Sequence, residues 1–109
     1  MARLTLTVTI DRPIGYDHEG TIYPINYGYV AGVMGGDGEE QQDAYVLTAG
    51  DQPLETFTGQ LIAVVHRADD VETKWVVTDF GKSYTADDIM TRIAFMEQYF
   101  ESTLELVEE

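Results

Sequence analysis

Two clusters of carboxylates and a run of tyrosines are the parts of this sequence that could do chemistry. Asp37-Gly38-Glu39-Glu40-Gln41-Gln42-Asp43 stands directly before an apolar stretch, and Asp69-Asp70-Val71-Glu72 lies just before Lys74. Hard divalent cations such as Mg2+ take oxygen ligands, and glycine lets a loop fold around the ion. Neither spacing is that of an EF-hand loop, which alternates its ligands and closes on a glutamate. In so acidic a chain, loop acids are by default a solvated surface. Tyr23-Pro24-Ile25-Asn26-Tyr27-Gly28-Tyr29 carries three phenols at spacings that share one face of a strand. Such phenols either pack as core with a polar tip or line a cleft as hydrogen-bond donors. His66 ends an apolar stretch and reads as structural, and His18 has no second histidine at ligand spacing. No serine or cysteine nucleophile motif and no phosphate-cradling P-loop is present.

The elements that must position these groups follow from periodicity. Leu4, Leu6, Val8 and Ile10 alternate with Thr5, Thr7 and Thr9, a half-buried strand that ends at Asp11-Arg12-Pro13. A second strand is expected over 21–30, with Pro24 marking an edge or a bulge. The glycine- and acid-rich stretch 31–42 reads as loop, and Ala44-Tyr45-Val46-Leu47 as a short apolar strand. Residues 59–66 and 74–78 read as the two arms of a hairpin. Thr85-Ala86-Asp87-Asp88 resembles a capping box, and Ile89, Ile93, Met96 and Phe100 form the apolar stripe of the helix it opens. The alternation over 103–107 allows one last strand. Five or six short strands and one C-terminal helix predict an α+β, β-dominant fold: a small OB-like barrel closed by the helix.

Length and composition bound the rest. With 109 residues the chain is expected to be one domain, 1–109. It is 44% hydrophobic and 24% charged, ordinary for a globular protein. No apolar run reaches the ~20 residues of a membrane helix, and no export signal is evident, so a cytoplasmic location is expected. The absence of cysteine excludes disulfides and thiolate metal sites. Twenty acids face six Lys and Arg, a formal charge of −14, which argues against binding nucleic acid, and without a long apolar run no membrane partner is expected. An anionic substrate would then need metal ions or a focused cationic pocket.

The tyrosine–proline–x–asparagine–tyrosine–glycine–tyrosine segment, followed by Asp37, Glu39 and Asp43, resembles the family I soluble inorganic pyrophosphatases. Asp11-Arg12 upstream, the acids and lysine of 69–74, and a helix ending in Gln98-Tyr99 follow in the same order, so the resemblance spans about residues 8–100. It implies hydrolysis of pyrophosphate, or of another small phosphoanhydride, to phosphate with Mg2+ as cofactor and Mn2+ as a substitute. It implies metal ligation by Asp37, Asp43, Asp69 (or Asp70) and Glu72, and Glu39 as general base with Asp37 and Lys74 in the catalytic set. Arg12, Lys74, Tyr99 and Tyr27 would bind substrate. Metal ions sharing one water would lower its pKa and make it a nucleophile. The family tends to form homo-oligomers.

The chain also departs from the family. Its N-terminal lysine and glutamates have no counterpart, Phe100 stands where a lysine is expected, and Glu39 replaces an aspartate, with one extra residue before Asp43. Arg67 is a candidate to replace one lost cation, strand alternation leaving its direction open. The competing expectation is a reduced module that binds a phosphorylated ligand or a protein partner, or hydrolyses another phosphoanhydride.

Overall fold

The computed structural model describes residues 3–34, 41–68 and 73–107. Its elements are β1 (Thr5–Arg12), β2 (Asp17–His18), β3 (Thr21–Ile22), β4 (Asn26–Met34), β5 (Gln41–Leu47), β6 (Thr56–Arg67), β7 (Thr73–Thr78), α1 (Ala86–Glu97) and β8 (Ser102–Leu106). The main sheet runs β1-β4-β5-β7-β6-β8, and β1 also pairs with β6, so five strands close into a barrel. The expected α+β, strand-dominant barrel with one C-terminal helix is what the chain forms. No helix among the described residues is long and apolar enough to cross a membrane.

Closure depends on β6, whose length lets it serve three partners. Its first part pairs with β1 from Thr56 to Gln60, and its last part with β8 from Ala63 to Arg67. Its other edge carries β7, the hairpin expected from sequence. The chain then lays β7 parallel to β5, with Ala44 opposite Trp75 and Leu47 opposite Thr78. Only a non-local crossover gives a parallel pair, and local periodicity carries no sign of it.

Alternation along the strands divides the apolar residues between two faces. Leu6, Val8, Val30, Ala44, Val46, Leu61 and Val77 come from all five barrel strands and fill its interior. Tyr45, Leu47, Ile62, Val65 and Val76 face outward and are covered by Ile89 and Ile93 of α1. The Thr85 hydroxyl accepts from the Asp88 amide at 3.1 Å, the N-cap expected from sequence. At Gly28 a Cβ would stand 1.8 Å from the Thr9 carbonyl oxygen, so only glycine lets β1 and β4 approach this closely.

Several boundaries differ from expectation, among them the start of β6, which lies at Thr56 and not at 59. The strand placed at 21–30 is split: Thr21–Ile22 pairs with Asp17–His18 in a separate ribbon, and β4 begins at Asn26. Pro24 lacks the amide a ladder needs, and Tyr23 bonds instead to the preceding loop through Tyr16 and Gly15. The stretch read as loop from 31 to 42 is strand at 31–34 and 41–42, because β4 and β5 extend their ladder beyond the apolar core. The helix stops at Glu97. The amides of Tyr99 and Phe100 turn back to the Met96 and Glu97 carbonyls in tight turns, so Phe100 leaves the apolar stripe.

Candidate active site

Of the residues singled out from sequence, four converge on the outer face of the barrel. Tyr27 of β4 lies opposite Tyr45, and Tyr29 opposite Asp43 of β5. Lys74 is the second residue of β7, beside this end of β5, and its ammonium pairs with the Asp43 carboxylate. The Tyr27 hydroxyl lies near enough to the same carboxylate to feel its charge, and the Lys74 ammonium lies 5.9 Å from the Tyr27 ring centroid. The Lys74 side chain is only 8% exposed and that of Asp43 26%, so the carboxylate is the face of the pair that solvent reaches.

Arg12 joins this group through a bulge. Register along β1 runs Ile10 to Gly28 and then Arg12 to Tyr27, leaving Asp11 as the extra residue. Without it, strict alternation would turn Arg12 toward the same side as Val8 and Ile10; with it, Arg12 meets the tyrosines. Its Nη1 donates to the Tyr23 hydroxyl at 2.7 Å, and its guanidinium lies 5.8–5.9 Å from the rings of Tyr16, Tyr23 and Tyr27. The aromatic set continues behind it. Tyr23 packs against Phe95 of the helix with centroids 4.9 Å apart, and Tyr27 against Tyr45 at 5.1 Å.

Burial, then the adjacent Asp43 charge, pushes the Tyr27 hydroxyl far above the ordinary phenol range, so it stays neutral and acts as a donor. Burial also raises the Asp11 carboxyl, with Arg12 opposing and Asp43 adding to the shift. This end of the barrel thus presents a guanidinium, an ammonium, a neutral phenol and a carboxylate within one cluster.

Asn26 is a functional-segment residue whose task the sequence did not reveal. Its side chain is buried, accepts from the Ile14 amide at 3.0 Å and the Leu54 amide at 3.1 Å, and donates to the Gln52 carbonyl at 3.1 Å. It staples two loops to the start of β4, which fixes Tyr27 one residue later.

Of the remaining expected residues one, Tyr99, is described. Tyr99 is 69% exposed beyond the end of α1, and no ring contact or ion pair among the described residues joins it to the Arg12 group. Asp37, Glu39, Asp69, Asp70 and Glu72 lie outside the described residues. Among the described residues no three His, Asp or Glu side chains gather as a metal site. Of the expected metal ligands Asp43 is the one described, and its partly exposed carboxylate suits Mg2+ as one ligand of a larger set.

Arg67 is not available to replace a missing cation. It donates to Glu97 through Nε at 3.1 Å and Nη2 at 2.7 Å, and its guanidinium lies 3.7 Å from the centroid of Phe100. Glu97 is 2% exposed and also accepts from Tyr45 at 2.5 Å and Ser102 at 2.7 Å. Burial alone would raise the Glu97 carboxyl, but these donors outweigh it and hold the group below its ordinary value.

By sequence, no protein family and no curated protein matches the chain. By structure, the chain is similar to an inorganic pyrophosphatase from Ehrlichia chaffeensis, with a TM-score of 0.70 at 15% identity over 94% of this chain and 86% of that one. It is similar also to the inorganic pyrophosphatase of Helicobacter pylori, with a TM-score of 0.64 at 16% identity over 98% of this chain and 86% of the other. A structure described as an inorganic phosphatase from Anaplasma phagocytophilum superposes with a TM-score of 0.60 at 15% identity, over 94% and 82% of the two chains. The fold is therefore pyrophosphatase-like.

Proposed function

We propose that the chain hydrolyses inorganic pyrophosphate to two phosphates with Mg2+ as cofactor, Mn2+ serving in its place. The observation that carries this reading is the convergence of Arg12, Tyr27, Asp43 and Lys74 from four strands at one end of a pyrophosphatase-like barrel. Arg12 presents a planar, permanently charged fork suited to a phosphoryl group, and Lys74 a point charge beside it. Tyr27 offers a neutral hydroxyl donor beside Asp43. Asp37, Asp43, Asp69 and Glu72 would hold Mg2+, with Glu39 as the base that takes the proton of the attacking water. Bound Mg2+ would supply Lewis-acid activation of that water and neutralise the substrate's charge. Tyr99 would contact the phosphate from the end of the helix.

With the anionic substrate masked by metal, a chain of charge −14 can admit it without a broad basic surface. Phosphate release from pyrophosphate with Mg2+ tests the reading, comparing the wild type with Asp43→Asn and Glu39→Gln. Wild-type turnover is expected to fall about 100-fold or more in each variant. Equal release from all three would place the chemistry elsewhere and overturn the proposal. No release from the wild type, with phosphate still bound, would favour the reduced binding module instead.

A further inference from the structure

We propose that Glu97 is a positioning residue for Tyr27, acting through Tyr45; this rests on reading the Arg12–Tyr27–Asp43–Lys74 end as the active site. Glu97 is placed where simple stability would not put it. It occupies the last turn of α1, where the helix dipole disfavours negative charge and that turn carries no basic residue of its own. A buried ion pair is commonly no more stabilising than apolar residues of the same volume. What the carboxylate supplies is direction. Four donors from three separate segments meet on its two oxygens: two from Arg67 at the end of β6, one from Ser102 at the start of β8, one from Tyr45 in β5.

The Tyr45 hydroxyl is the end of this network that points to the site. Its ring is tilted against that of Tyr27 at 5.1 Å, the two residues being direct cross-strand partners. Tyr27 in turn lies on the same face of the sheet as Asp43, two residues from Tyr45 along β5, and Asp43 pairs with Lys74. Phe95 of α1 flanks both Tyr45 and Tyr23, so the ring stack is bounded by the helix on its outer side. With the hydroxyl of Tyr45 fixed by Glu97, its ring has one setting, and the Tyr27 ring packed against it is held in place beside Asp43. Phe100 completes the arrangement by lying against the guanidinium of Arg67. The residue that stands where the family has a lysine thus serves the lock on Glu97.

Two variants of the full chain test this. Arg67→Met with Glu97→Leu removes the pair without leaving a lone buried charge, and Tyr45→Phe removes only the hydroxyl while keeping the ring. Each is made with carbon-13 in the tyrosine rings, and the Tyr27 resonance is followed at neutral pH beside steady-state kinetics on pyrophosphate. Both variants are expected to retain a cooperative melt, to shift or broaden the Tyr27 resonance while that of Tyr99 stays put, and to lower kcat about 10- to 100-fold with KM changed less than about 3-fold. A Tyr27 resonance identical to wild type in both variants would overturn the proposal and leave Glu97 as an anchor of the helix alone. A wild type without turnover would overturn the hydrolase reading, while the Tyr27 resonance would still decide the role of Glu97.

Discussion

Asn26 illustrates how a polar side chain in a tyrosine-rich segment can matter through architecture rather than through substrate. Its one buried amide group satisfies two loop amides and one loop carbonyl. Replacement by alanine takes the partner from each of these part-buried contacts, at roughly 1 kcal/mol each. Asn26→Ala is therefore expected to lose about 3 kcal/mol in urea unfolding, and a loss below about 1 kcal/mol would show that water replaces the amide. The identities of Arg12, Tyr27, Asp43 and Lys74 as a group were legible in the sequence, because their types and order carry the resemblance. Their geometry was not. A bulge at Asp11 turns Arg12 toward the tyrosines, and a register shift between Leu61 and Ala63 decides where Arg67 ends up. Alternation counts residues evenly and fails wherever a strand contains one extra.

At the level of elements, the sequence was most informative where periodicity and capping agree. The alternation of β1, the hairpin of β6 and β7, and the Thr85 cap were all readable, since each is set by residues near one another in the chain. The parallel pairing of β5 with β7 and the shared edge of β6 are set by distant residues and had no local sign. The β1–β4 contact shows what such long-range pairing demands of a single position. Gly28 abuts the Thr9 carbonyl and the Ile10 backbone, neither of which can rotate away as a side chain could. Gly28→Ala is expected to cost about 2–3 kcal/mol and lower Tm by ~10 °C or more in a thermal melt. A variant melting with the wild type would mean that the two strands separate without penalty.

For the molecule as a whole, charge and Glu97 act on stability in opposite directions as pH falls. A net charge of −14 repels itself, so added salt should stabilise the fold. Raising KCl from low concentration to ~1 M is expected to raise Tm by about 5 °C, and a flat or falling Tm would refute the repulsion argument. Titrating the surface acids relieves the same strain on the way down from neutral pH, and the raised Asp11 carboxyl adds to that relief. Glu97 works the other way. Its folded-state value lies below the ordinary 4.5, so its contribution is complete above that value and is lost as pH falls through the folded one. The barrel's closure on β6 has a further consequence, for the order of events during synthesis. Strand β1 leaves the ribosome first, yet one of its two partners is β6, which follows some fifty residues later, as the pairing of Thr5 with Gln60 requires. At about 5–20 residues per second, the N-terminal strand waits several seconds with one edge open. A nascent chain halted before residue 56 therefore has no closed barrel to enter, and the threonines at alternate positions of β1 keep one face of the waiting strand polar.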